Sequence, residues 1–127
     1  MTRLVLGLAA AFALAFACAA RAEAPPMGDP ENGAKVYEQR CGACHALDAN
    51  RVGPMHRGVY GRTAGQVKGF PYSKAVQASG IVWSADTLDS WLTDPQKLIP
   101  GQRMNFRLGD PQLRADVIAY LKKESGK

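Results

Sequence analysis

Cys41-Gly42-Ala43-Cys44-His45 constrains this chain more than any other five residues in it. Two thiols three positions apart, followed at once by an imidazole, form the attachment signature of a c-type haem. In such a site each thiol adds to a vinyl group to make a thioether, and the adjacent imidazole binds iron from one face of the macrocycle. One helical turn carries about 3.6 residues, so Cys41 and Cys44 project to one side with His45 beside them. A fold that accepts this motif carries a large apolar disc in its core.

Two other chemistries use similar residues. Structural zinc takes four nitrogen or sulfur donors, and Cys41, Cys44, His45 and His56 would supply that number. Adjacent donors at Cys44 and His45 strain a tetrahedron, however, and no second Cys pair follows. A thiol–disulfide exchanger also carries C-x-x-C, but there a strand leads into the motif within a β-α-β pattern. The residues before Cys41 read as helix.

The first two dozen residues set the compartment. Arg3 supplies a positive start, Leu4 to Ala17 form an apolar run of 14, and Ala20-Arg21-Ala22 and Ala22-Glu23-Ala24 offer small-residue cleavage sites. Residues 1–22 read as a secretory signal peptide, cleaved after Ala22 because cleavage after Ala24 would leave Pro25 at the new N-terminus. The apolar run falls short of the roughly 20 residues that span a bilayer, so a retained membrane anchor is the second choice. Cys18 leaves with the segment, since Ala15-Phe16-Ala17 lacks the leucine that stands three residues before a lipidated cysteine. Export implies a periplasmic protein.

Removal of 22 residues from the 127 leaves 105, residues 23–127, enough for one domain. Arg3 and Arg21 leave too, so the formal charge falls from +5 to +3. That is too mild to argue for nucleic acid. Arg40, Arg51, Arg57, Arg103 and Arg107 lie in sequence around the Cys-His motif and around Met104, and predict a basic docking face if both segments border one haem edge.

Helix signals are clear at three places. Asp29-Pro30-Glu31 offers a cap, a proline at the first helical position and an acid in the first turn, and predicts a helix to about Arg40. Asp110-Pro111 repeats the device. After it, Leu113, Val117, Tyr120 and Leu121 recur on one helical face, with Arg114, Lys122 and Lys123 elsewhere. Ser84 caps a helix through about Leu92, with Leu88, Trp91 and Leu92 inward, ending before Pro95. A shorter helix is expected around Ser73 to Ala78. The rest is loop, marked by Gly53-Pro54, Gly58, Gly61, Gly65, Gly69-Phe70-Pro71 and Pro100-Gly101. Long loops count against a compact domain unless they wrap a bound group such as haem. For the second iron ligand, Met27, Met55, Met104 and His56 are all available, and spacing alone does not choose among them.

From Gly28 to about Lys123 the sequence resembles class I cytochrome c of the mitochondrial and bacterial c2 type. The resemblance rests on Gly33 and Tyr37, the Cys-Gly-Ala-Cys-His motif, Gly53-Pro54, Gly61-Arg62, Tyr72, Gly80-Ile81-Val82-Trp83, the run from Asp94 to Met104, and Arg114 to Lys123. It implies an all-α fold with three main helices, one or two short ones, and long loops wrapped around one haem c held covalently by Cys41 and Cys44. It further implies His45 as proximal and Met104 as distal ligand, and a Pro54 carbonyl that accepts the other His45 proton. Arg62, Tyr72 and Trp83 match positions that contact a haem propionate, and Phe106 matches an aromatic at the exposed haem edge. Gly33 and Tyr37 match the close contact of the first and last helices, against Tyr120. Departures stand beside these matches: Trp91 replaces the tyrosine that hydrogen-bonds the methionine sulfur, Gln102 replaces a hydroxyl residue near the haem, and His56 stands where an apolar haem contact is usual. His56 reads as packed or turned outward.

With both axial positions filled, the implied task is one-electron transfer through the haem edge, not catalysis. The implied partners are acidic surfaces of a bc1-type complex, an oxidase or reaction centre, or a periplasmic dehydrogenase, met by a monomer with no small-molecule substrate and no nucleic acid. Haem-based peroxidase or gas-sensing chemistry would need a labile Met104, and Trp91 is the one feature that favours it. A dedicated electron-accepting subunit of one dehydrogenase is the other alternative.

Overall fold

Asp-Pro opens three helices in this protein, one more than the sequence reading assigned. The computed structural model describes residues 24–127; the signal segment, its cleavage after Ala22 and Cys18 lie outside the described residues. Five helices follow in order: α1 (Pro30–Arg40), α2 (Lys74–Ala78), α3 (Ala85–Thr93), α4 (Pro95–Leu98) and α5 (Pro111–Ser125). Asp29 caps α1 by accepting the Glu31 N–H at 2.9 Å, and Asp110 caps α5 through the Gln112 and Leu113 N–H groups at 2.8 and 3.2 Å. Asp94 does the same for α4, accepting from Gln96 and Lys97 at 3.1 and 3.2 Å. Pro95, expected only as the stop of the preceding helix, opens a new one, and Asp94 both ends α3 and begins α4. Ser73 caps α2, and Ser84 with Thr87 forms a reciprocal capping box on α3.

α1 and α5 cross at a contact that admits no side chain. A Cβ on Gly33 would run into the Asp116 carbonyl and the Tyr120 Cβ, and one on Gly28 into the Ala115 carbonyl. The Tyr37 and Tyr120 rings meet there at 5.4 Å, and Val36, Val117, Ile118 and Leu121 fill the seam. The apolar stripe expected on α5 is present, with Val117 1% exposed, but it shares its face with a buried acid. Asp116 is 2% exposed and accepts from the Asp29 N–H at 2.8 Å, Asn32 Nδ2 at 2.7 Å and Gln112 Nε2 at 2.9 Å. A buried carboxylate with three donors is a stable element of a core, because its desolvation is offset by charge-assisted hydrogen bonds.

Arg114, placed off the apolar stripe, is largely covered as well. Its Nε donates to Asp89 of α3 at 2.7 Å and its Nη1 to the carbonyls of Leu108 and Gly109, both at 2.9 Å. This docks α3 and the chain after Met104 against α5. Among the described residues β pairing is limited to one isolated antiparallel bridge between Thr63 and Val82. The remaining core, Val59, Ala64, Val76, Trp83, Ile99 and Leu108, comes mainly from loops and short helices.

Candidate haem site

The thiol-bearing turn continues directly from α1. Cys41 and Gly42 N–H groups both donate to the Tyr37 carbonyl, at 2.8 and 2.9 Å, and the His45 N–H donates to the Cys41 carbonyl at 2.9 Å. α1 ends at Arg40, and the turns that follow it present Cys41 half-buried and Cys44 exposed, both as free thiols. Burial, with Cys44 adding to it, pushes the Cys41 thiol up to about 11, so it is held protonated rather than as a metal-binding thiolate. Among the described residues no three His, Cys, Asp or Glu side chains converge as a metal cluster. The four-donor zinc arrangement is not assembled.

His45 is prepared for a single task. Its Nδ1–H donates to the Pro54 carbonyl at 2.8 Å, which leaves Nε2 as the free donor. Burial lowers its pKa and the Pro54 bond only partly opposes this, so the ring is neutral, the form that binds metal. Gly53, just before Pro54, was read only as a loop marker. A Cβ there would fall on the His45 ring, so the close approach of this backbone needs glycine, and the Gly53 N–H donates to the Cys44 carbonyl at 2.9 Å.

A second group of residues gathers around the paired segments 61–64 and 81–83. Trp83 N–H donates to the Arg62 carbonyl at 2.9 Å, and the Gly61 N–H returns to the Trp83 carbonyl at 2.6 Å. Arg62 is half-buried, donates to the carbonyls of Arg57 and Met55 at 3.0 and 2.9 Å, and has no carboxylate partner among the described residues. Burial lowers its pKa. A half-buried guanidinium with free donors and no anion suits a carboxylate brought by a ligand. Tyr72 lies nearby with its hydroxyl accepting from the Val67 N–H at 3.3 Å, and the Trp83 ring meets Trp91 at 5.3 Å.

Met104 sits on a turn that its sequence dictates. Gln102 N–H closes onto the Ile99 carbonyl at 3.1 Å, with Pro100 second and Gly101 third at φ +91°, the place where a type II turn requires positive φ. The Gln102 side chain then grips the Met104 backbone at both ends: its Oε1 accepts the Met104 N–H, and its Nε2 donates to the Met104 carbonyl at 3.0 Å. Gln96 Oε1 accepts in turn from the Gly101 N–H at 3.2 Å. The sequence reading noted Gln102 only as a replacement and gave it no positioning role. Met104, Phe106 and Arg107 border one groove with Gln96 and Gln102. Arg103 Nη1 reaches the Pro71 carbonyl at 3.3 Å, which brings this turn beside the Tyr72 segment.

Placement narrows the choice of the second donor. Met27 is 92% exposed, and its carbonyl is tied to Gln112 on α5 at 2.9 Å. His56 is packed rather than turned outward. Its ring lies parallel to that of His45, at 4.0 Å and 17°, while trans ligands point donor atoms, not faces, at each other. Burial first, then His45 and Arg62, hold the His56 ring well below its ordinary pKa.

Two of the five arginines are paired with carboxylates. Arg57 Nε and Nη2 meet Asp48 at 2.5 and 2.9 Å and its Nη1 meets Glu124 at 2.7 Å, while Arg107 pairs with Asp94 at 3.0 Å. Arg51 donates to the Gly42 carbonyl at 2.6 Å, a partner that leaves its charge uncompensated. Arg40, Arg51 and Arg103 retain free positive charge among the described residues, because no carboxylate reaches them.

A helical frame, one turn carrying two thiols and a neutral imidazole, and an anion-seeking arginine behind a tryptophan define a c-type haem protein. Residues 30–125 match the family model of cytochrome c, and the chain belongs to that family. It is 49% identical over 105 residues to cytochrome c 2.1 of Caenorhabditis elegans, covering 80% of this chain and 95% of that protein. Cytochrome c type-1 of Ascaris suum is 45% identical, over 80% of this chain and 94% of that protein. Among solved structures, cytochrome cH from Methylobacterium extorquens matches with a TM-score of 0.72 and 42% identity, over 76% of this chain and 99% of that one. The fold is the class I cytochrome c fold, and the cofactor is one covalent haem c on Cys41 and Cys44. The protein is an electron carrier, not an enzyme, and its partners are redox proteins.

Proposed function

We propose that this chain is an exported, periplasmic carrier of single electrons, with His45 and Met104 as the axial ligands of its haem. Haem c, when bound, supplies an iron that takes and releases one electron. The observation that carries the assignment is the 2.8 Å bond from His45 Nδ1 to the Pro54 carbonyl, which orients the ring and raises the basicity of Nε2. The Met104 thioether is the second donor, presented by the turn that Gln102 clamps. With haem bound, His45 and Met104 would both hold its iron, which would leave no site for a substrate. A thioether donor and a covered, low-dielectric pocket favour the reduced state and a positive potential.

Arg62, with Tyr72 and Trp83, would hold the anionic edge of the cofactor, and Phe106 borders the same groove as Met104. Trp91 packs on Trp83 at 5.3 Å, where its indole is a fixed part of the wall. Residues 1–22 direct export and residues 23–127 form the mature domain. Among the described residues no helix is long and apolar enough to cross a membrane. The free charges of Arg40, Arg51 and Arg103 steer the opening toward acidic surfaces of a bc1-type complex, an oxidase or reaction centre, or a periplasmic dehydrogenase.

The test is electron exchange followed by stopped flow against an acidic redox protein at increasing salt. Rates fall with ionic strength if steering operates, and a salt-independent rate contradicts it. N-terminal sequencing of the periplasmic fraction tests export: a chain beginning at Glu23 is expected, and a full-length chain in the membrane fraction contradicts it.

A further inference from the structure

We infer that His56 is a positioning residue for the proximal ligand: its stacked ring and its bond to Tyr37 together fix the plane of the His45 imidazole. The inference rests on His45 being the iron ligand. One hydrogen bond from Nδ1 to Pro54 sets the direction of the His45 ring but lets it rock about that line. A planar neighbour on its face removes this freedom, and the His56 ring supplies one at 4.0 Å and 17°. An apolar side chain in the same place would touch the face without being anchored.

His56 is anchored through both its ring and its backbone. Its Nδ1 shares a hydrogen bond of 3.0 Å with the Tyr37 hydroxyl, and its N–H donates to the Ala46 carbonyl at 3.0 Å. The next N–H, of Arg57, donates to the Leu47 carbonyl at 2.8 Å, so residues 56–57 are laced to the two residues that follow His45. Tyr37 is 7% exposed and lies edge-on to the His56 ring at 5.6 Å, with Tyr120 behind it. The plane of the ligand is thereby referenced to the closely packed α1–α5 crossing, and not only to the loop that carries Pro54.

The plane of an axial imidazole selects which iron orbital holds the unpaired ferric electron. Magnetic signals therefore read it directly. The experiment compares the ferric holoproteins of the parent, His56→Leu, Tyr37→Phe and the double variant by electron paramagnetic resonance and by the spread of hyperfine-shifted haem methyl resonances, with thermal melting as the stability control. His56→Leu is expected to shift both signals, and Tyr37→Phe to shift them in the same direction to a smaller extent. The double variant should match His56→Leu, because Tyr37 acts through His56. Parent-like magnetic signals in His56→Leu and Tyr37→Phe, with only melting altered, overturn the inference. If His56→Leu fails to retain haem, Tyr37→Phe decides by the same two signals. A parent protein without the imidazole–sulfur low-spin signature would instead overturn the ligand assignment beneath it.

Discussion

The α1–α5 crossing and the segment from Cys41 to Trp83 are held in opposite ways. At the crossing every requirement is met within the chain: glycines let the backbones meet, tyrosine rings pack at a tilt, and Asp116 has three donors for its two oxygens. The loops instead leave groups directed at something else. His45 has a free Nε2, Arg62 a charge without a carboxylate, and Cys41 a half-buried thiol. A self-sufficient helix pair thus carries a set of loops whose core is completed by the cofactor, and perturbations should separate along the same line.

The largest effect is expected from Cys41→Ser with Cys44→Ser, which removes both attachment bonds and the loop core with them. Haem staining of a denaturing gel should be lost completely, and near-ultraviolet dichroism from Trp83 and Trp91 should collapse, while far-ultraviolet helicity falls less. Next comes Gly33→Ala, which forces a methyl into the Asp116 carbonyl and Tyr120. Overpacking of about 3 kcal/mol, offset by about 1 kcal/mol of helix propensity, gives a net loss of about 2 kcal/mol in denaturant titration with the haem spectrum unchanged.

Asp116→Asn should cost about 2 kcal/mol, the scale of hydrogen bonds to a charged acceptor, and it sharpens the comparison through pH. Burial works to raise the Asp116 pKa, but the bonds from Asp29, Asn32 and Gln112 outweigh it and hold the carboxyl below its ordinary value. In the window between the two values the unfolded chain binds the proton and the folded chain does not. The stabilisation is therefore complete above the ordinary value of about 4 and is lost as pH falls through the lower folded value. Chemical denaturation across that range should show a flatter acid limb for Asp116→Asn than for the parent.

The smallest effect on stability is expected from Arg62→Gln. It deletes a positive charge beside the cofactor, so a redox titration should give a lower midpoint potential. The melting temperature should move less than in Gly33→Ala.

The helical frame is legible because its signals are local and periodic. Asp29-Pro30 and Asp110-Pro111 mark the first and last helices, and Leu113, Val117 and Leu121 mark the inner face of α5. α4 escapes the same logic because Asp94 serves two helices at once and a proline after a helix reads as a stop. Asp116 and Arg114 escape because apolar periodicity assigns charged residues to solvent, whereas here their partners come from Asp29, Asn32 and Asp89, distant in sequence. The thiols and His45 announce themselves by spacing. Met104 is singled out by resemblance rather than by geometry. Gly53, His56 and Gln102 act through contacts made by irregular backbone, which has no period to read. Charge counts likewise hide that Arg57 is neutralised by Asp48 and by Glu124, 67 residues away.

The central claim, a covalent haem held between His45 and Met104, is tested most directly by the visible and near-infrared absorption of the ferric holoprotein, recorded for the parent and for Met104→Ala. The account predicts a weak sulfur-to-iron band at the red end in the parent, replaced by a high-spin pattern in the variant while the haem stays attached. A parent without that band contradicts it, and a Met104→Ala protein that keeps the parent's spectrum contradicts it too and makes Met55 the better ligand.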